Sequence, residues 1–214
     1  MRKFNIAQSI LVKFFSIFNA CMIRVLWLGK VDGLQHIPDT PCVIISNHES
    51  YLDFLLLGYV LKRKAKKNFR FWAKTKVVNH SIWKTYSRFF DTIEVNENGN
   101  YRKLNELSVK ALNNGEYVCI FPEGRRSRNG NLQVFKTGYL RLATAANIKV
   151  VPAFLENTYK TWPAHRLWPK IRRCKITFHP PFEVPMNLTE SETEELNQRI
   201  MNKYQSFKKL SNNS

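Results

Sequence analysis

His48 and Asp53 stand five positions apart, just after a short apolar run, Cys42-Val43-Ile44-Ile45. An imidazole beside a carboxylate makes a general base. The carboxylate fixes the proton on one ring nitrogen and stabilises the imidazolium, leaving the other nitrogen to take a proton from a substrate. The spacing restricts how the two can meet, because positions five apart on one continuous helix lie about 140° apart and face away from each other. Contact requires His48 in a turn before a helix and Asp53 in that helix's first turn. The same residues have a plainer reading: Asn47 or Ser50 caps the helix, Asp53 complements its dipole, and His48 is a surface histidine.

A second stretch with chemical content is Phe121-Pro122-Glu123-Gly124-Arg125-Arg126-Ser127. Pro, Gly and paired arginines make it a loop. Arginine offers a fork of donors matched to phosphate oxygens, glycine lets a ligand approach the backbone, and Glu123 can orient an arginine or accept from a substrate hydroxyl. A surface loop with ordinary salt bridges is the bland alternative.

The elements that would carry these residues alternate. Cys42–Ile45, Phe69–Ala73, Asp91–Val95, Tyr117–Phe121, Val150–Leu155 and Cys174–Phe178 are β-branched or aromatic runs that read as strands. Helical patterns are expected over 50–61, 77–89, 101–113, 135–148 and from about Thr189, where Thr189 and Glu192 fit a capping box. Residues 29–41, with Gly33, Pro38 and Pro41, read as a connector, and Asn98-Gly99-Asn100 as a turn. Alternation of strands and helices predicts an α/β fold with a central mixed β-sheet flanked by helices. In such sheets the loops after strands carry ligand chemistry, so the His48 turn and the Glu123–Arg126 loop could share one end.

The net charge of +18 calls for an anionic partner: nucleic acid, an acidic membrane surface or a phosphorylated substrate. Before Asp32 there is no acidic residue. Ile6, Ile10, Phe14, Phe18 and Met22 recur every four positions, punctuated by Lys3, Lys13 and Arg24. The uncharged run Phe14–Ile23 is about half of what spans a bilayer. A basic amphipathic helix lying in the membrane interface fits this pattern best, and a surface helix packed on the domain's own core is the alternative. Lys62-Arg63-Lys64-Ala65-Lys66-Lys67 would add attraction for an anionic leaflet, or is a solvated loop. Cys21, Cys42, Cys119 and Cys174 are scattered, with no CxxC pair, so neither zinc nor a disulfide framework is expected and a reducing compartment suits them. Charge and interleaved aromatics also allow a basic RNA-binding protein, although no RNP-like motif is present.

Together, Asn47-His48-Glu49-Ser50-Tyr51-Leu52-Asp53 and Phe121-Pro122-Glu123-Gly124-Arg125-Arg126-Ser127 closely resemble the first and third motifs, NHxSxxD and FPEGTRS, of the glycerolipid acyltransferase family, whose bacterial members include 1-acylglycerol-3-phosphate acyltransferases. Val150-Val151-Pro152 resembles the family's fourth motif, Phe135-Lys136-Thr137-Gly138 its Lys-x-Gly approach to the next helix, and Ala73-Lys74 a segment between its first two motifs; the resemblance covers about residues 30–155. It implies acyl transfer from an acyl thioester, acyl-CoA or acyl carrier protein, to a lysolipid hydroxyl, with His48 as base and Asp53 holding it. It also implies substrate-binding roles for Asn47, Ser50, Glu123, Gly124, Arg125, Arg126, Lys136 and Pro152, and neither a metal nor a cofactor beyond the co-substrate. Nucleic acid is then not expected as a partner, and the protein would work on a membrane at its cytoplasmic face. On this reading residues 1–30 form an amphipathic membrane-association segment and 31–214 the acyltransferase domain. Two departures leave the acceptor open between 1-acylglycerol-3-phosphate and another lysophospholipid or a lyso-aminolipid. Arg125 replaces the motif's threonine, and Asp91–Asn96, the counterpart of the second motif, lacks its glycine and arginine.

Overall fold

The computed structural model describes residues 18, 20–74, 92–95 and 101–212. Seven strands form one sheet: β1 (Leu28–Asp32), β2 (Val43–Ser46), β3 (Phe69–Lys74), β4 (Thr92–Val95), β5 (Tyr117–Ile120), β6 (Val150–Glu156) and β7 (Cys174–Phe178). Their spatial order is β1-β7-β6-β2-β5-β3-β4. Every neighbouring pair is parallel except β6 with β7, so β7 and β1 run against the other five. The sheet is mixed, as the alternating pattern predicts.

The central strands are apolar on both faces because both are covered. On one face Ile44, Cys119 and Val151 lie in register and join the core with Leu52, Leu55 and Leu56 of helix α1 (Leu52–Tyr59). On the other, Val43, Val118 and Val150 align and pack with helices α2 (Tyr101–Asn113), α3 (Gly138–Ala146) and, beyond a short turn α4 (Thr158–Thr161), the long α5 (Glu190–Asn212). The Thr189/Glu192 capping box forms: the Glu192 carboxylate accepts from the Thr189 N–H at 2.8 Å, and the Thr189 hydroxyl accepts from the Glu192 N–H at 3.3 Å.

Some boundaries differ from expectation, each for a physical reason. Residues 28–32 are not connector: their short sequence Leu-Gly-Lys-Val-Asp shows little strand patterning, yet they pair with β7, so β1 runs across residue 30. Helical backbone at Ala20–Met22 widens into a π turn over Ile23–Trp27 and stops because Leu28 enters the sheet. The helix expected from Phe135 starts at Gly138, since the preceding chain is tied elsewhere, Lys136 N–H donating to Pro122 O at 2.9 Å and Phe135 O accepting from Asn197 Nδ2 of α5. It ends at Asn147, whose φ of +50° is a left-handed stop. The basic run 62–67 precedes β3 at the sheet end opposite the strand C-termini, where Lys67 pairs with Asp39 at 2.8 Å. The expected helix 77–89, the turn 98–100 and the first seventeen residues lie outside the described residues, as does Asn96.

Candidate active site

Strands β2 and β5 are parallel neighbours with Ile45 opposite Ile120, so the turns that follow them emerge side by side. The two backbones are tied directly: Ser127 N–H donates to His48 O at 2.8 Å, and His48 N–H donates to Glu123 Oε1 at 2.7 Å. Beyond this turn α1 begins at Leu52, which places Asp53 in its first turn as the spacing requires.

His48 Nδ1 lies 2.8 Å from Asp53 Oδ2. The same oxygen accepts from the backbone N–H groups of Glu49 at 2.6 Å and Ser50 at 2.7 Å. Three donors converging on one buried carboxylate oxygen hold the whole turn around that oxygen, and the acceptor at Nδ1 keeps the ring proton there. Nε2 is left as the basic nitrogen. The ring is further fixed by stacking on Phe121 (4.1 Å between centroids, 16° between planes), which in turn stacks on Phe71.

His48 lines a cavity of about 690 Å³. Phe71, Trp72, Val95, Leu104 and Ile120 give it apolar wall, and Gly124, Arg125, Arg126 and Lys136 bring backbone and three cations. Gly124 has a φ of +68°, which a side chain would resist. Arg126 lies over the Tyr51 ring at 3.5 Å, and its Nη1 is buried without a hydrogen-bond partner. A guanidinium nitrogen in that position is ready for an anion. Arg125 is held by Gln133, donating to its Oε1 at 2.7 Å.

Four of the residues named from sequence do not line this cavity. Asn47 is fully buried and clasps the backbone of β6, accepting from Leu155 N–H at 2.8 Å and donating to Leu155 O at 3.0 Å. Ser50 is fully buried, donating to Trp162 O at 2.7 Å and accepting from Leu52 N–H at 3.0 Å, the capping role of the plainer reading. Pro152 sits inside buried β6 opposite Ile45. Among the described residues Glu123 binds no arginine: besides His48 N–H it accepts from Gln133 N–H at 3.0 Å and Gln133 Nε2 at 3.2 Å. None of the four lines the cavity beside His48, and the contacts described are with the fold itself.

Burial pushes the Glu123 carboxyl up to about 8 against the pull of its three N–H donors. A carboxyl raised in the fold contributes stability that is complete below its ordinary value and is lost as pH rises through about 8. Urea midpoints are therefore expected to climb as pH falls from about 9 to about 5, and the Glu123→Gln chain should lack this part of the slope. Parallel pH profiles for the two chains would refute the shift. Glu49, also raised mainly by burial, adds a component of the same sign in both.

Residues beyond the motifs complete the turn. Glu49, 1% exposed, pairs with Lys208 of α5 at 2.6 Å. Tyr204, also of α5, donates to Ile45 O at 2.9 Å and is 3.1 Å from Ala153 O, bridging the end of β2 and the middle of β6. Gln133, Tyr204 and Lys208 carried no motif signal; for Gln133 and Lys208 only the carboxylates of Glu123 and Glu49 hinted that partners were needed. Among the described residues, no group of three or more His, Cys, Asp or Glu side chains could hold a metal ion.

The family model described as Acyltransferase matches residues 29–156. Among curated proteins, the chain is 31% identical over 138 residues to the chloroplastic 1-acyl-sn-glycerol-3-phosphate acyltransferase LPAT1 of Arabidopsis thaliana, covering 63% of this chain and 37% of that protein. It is 28% identical over 189 residues to a 1-acyl-sn-glycerol-3-phosphate acyltransferase of Borreliella burgdorferi, covering 85% and 74%. The matched regions thus span well under half of the first plant relatives, 37% and 38% of their lengths. The fold is that of the 1-acyl-sn-glycerophosphate acyltransferase PlsC from Thermotoga maritima, with a TM-score of 0.70 at 23% identity over 98% of this chain and 83% of that one. The family match covers more than half of the chain and contains His48, Asp53 and the Glu123–Arg126 loop, so this chain belongs to the Acyltransferase family.

Proposed function

We propose that the protein transfers an acyl group from an acyl thioester, acyl-CoA or acyl carrier protein, to the free hydroxyl of a lysolipid, with 1-acylglycerol-3-phosphate as acceptor and phosphatidic acid as product. The observation that carries this is the Asp53-held imidazole in the same cavity as Arg126, whose buried Nη1 lacks a hydrogen-bond partner, and an apolar wall. Nε2 of His48 takes the acceptor's hydroxyl proton as the oxygen attacks the thioester carbonyl. The C–S bond then breaks, and the imidazolium returns the proton to the departing thiolate. A thioester is already activated, so this cycle needs no acyl-enzyme and no cofactor. Arg126, with Arg125 and Lys136, meets the acceptor's phosphate, and the apolar wall takes hydrocarbon. The names of the relatives support the acceptor assignment.

We place the protein on the cytoplasmic face of an anionic membrane. The field of +18 and the four free cysteines support this. Among the described residues no helix is long and apolar enough to cross a membrane.

The test is an acceptor panel: labelled acyl thioester with 1-acylglycerol-3-phosphate, other lysophospholipids and lyso-aminolipids. Turnover is expected to be fastest on 1-acylglycerol-3-phosphate. Arg126→Ala should raise the KM for that acceptor about tenfold or more while leaving the donor KM unchanged. A preference for an acceptor without phosphate would overturn the assignment, and salt-sensitive RNA binding with no turnover would overturn the class.

A further inference from the structure

Strand direction gathers more than the two motif turns at the active-site end. Strands β2, β5 and β6 finish there, and because β7 and β1 run the other way, both of them begin there, Cys174 lying opposite Leu28. The segments that enter these two strands, residues 20–27 and 162–173, therefore lie at the same end as His48. They are stitched together: Trp27 Nε1 donates to Lys170 O at 3.0 Å, and Arg173 Nη1 donates to Arg24 O at 3.0 Å and to Leu28 O at 2.9 Å. Trp162, at the start of the second segment, accepts from the Ser50 hydroxyl at 2.7 Å, and its ring lies 5.2 Å from that of Tyr51, the ring under Arg126.

What this pair of segments presents is unusual for a protein surface. Leu167, Trp168 and Ile171 are 78%, 75% and 77% exposed, and Val25 beside them is 54% exposed. Residues 162–173 carry Arg166, Lys170, Arg172 and Arg173 and no acidic residue. Large apolar tips amid cations, with a tryptophan among them, match the chemistry of the boundary between head groups and acyl chains. The other basic run, 62–67, lies at the opposite end of the sheet and cannot serve the same plane.

We propose that the 162–173 loop, braced by residues 20–27, is a membrane-docking surface for an anionic bilayer. Leu167, Trp168 and Ile171 insert below the head groups, and Lys170 and Arg172 contact their phosphates. Docked this way, the active-site end of the sheet faces the lipid, so a lysolipid moves from bilayer to cavity without crossing water. This rests on the lysolipid acyltransferase reading and names the surface through which that reading operates.

The test uses the full chain with vesicles of phosphatidylglycerol or of phosphatidylcholine, without substrate. The triple change Leu167→Ser, Trp168→Ser, Ile171→Ser is expected to weaken phosphatidylglycerol binding about tenfold or more. The pair Lys170→Glu, Arg172→Glu should weaken it as much while leaving phosphatidylcholine binding unchanged. Both should keep the parent's thermal midpoint and its turnover of detergent-dispersed lysolipid; if the triple change fails to fold, Trp168→Ser alone should still weaken vesicle binding about threefold or more. Vesicle binding within about twofold of the parent, in a folded variant, overturns the proposal. So does poly(U) binding that depends on the apolar triple as strongly as vesicle binding, which would assign the patch to RNA. Failure of the acyl-transfer reading shows separately, as absence of turnover by the parent chain in detergent with vesicle binding intact.

Discussion

Replacing His48 with alanine is expected to lower acyl transfer about a thousandfold or more, while the thermal midpoint of the protein barely moves. Among the described residues the ring's polar tether is Nδ1 to Asp53, and its side chain is 17% exposed at the cavity, so little buried structure depends on it. What disappears is the nitrogen proposed to take the acceptor's proton. The measurement is single-turnover transfer from a labelled acyl thioester, with the loss falling on kcat and not on either KM. Retention of more than about a tenth of the parent rate would remove His48 from the role of base.

Asp53→Asn separates holding the ring from charging it. The amide oxygen can occupy the position of Oδ2 and still accept from the Glu49 and Ser50 N–H groups and from Nδ1. The negative charge proposed to stabilise the imidazolium is gone, so kcat should fall roughly 10²- to 10⁴-fold with the acceptor KM unchanged. Stability should also fall, by about 1–3 kcal/mol, because charge-assisted hydrogen bonds become neutral ones and the amide nitrogen then sits where buried Oδ1 already lacks a partner. Asp53→Ala should cost more stability still, since two buried N–H groups lose their acceptor. If Asp53→Asn retained kcat within about tenfold of the parent, electrostatic support of the base would be refuted.

The sequence exposes His48 and Asp53 together because their contact is local: five positions and a helix start decide it. The roles of Asn47, Ser50 and Glu123 were hidden for the opposite reason. Their residue types suit a ligand as well as they suit the backbone of Leu155, the carbonyl of Trp162 or the N–H groups of His48 and Gln133, and only the fold says which is near. Lys208 looked like an ordinary late-helix cation, and pairing with Glu49 arises only when α5 crosses the end of β2. Central strands were legible because burial on both faces demands uninterrupted apolar runs. Edge strand β1 was not, because Gly29 and Lys30 break any such run and its pairing with β7 supplies what patterning does not.

The clamp of α5 on the catalytic turn has a consequence in time. Synthesis at about 5–20 residues per second separates the appearance of β1 from that of its partner β7 by roughly 7–30 s, and α5 follows later still. A nascent chain that has emerged past the Glu123–Arg126 loop already carries both motifs. It still lacks Tyr204 bridging Ile45 of β2 and Ala153 of β6 and Lys208 against Glu49. The local closure around Asp53 can form before then, but its outside braces on Ile45, Ala153 and Glu49 arrive only when the last helix docks.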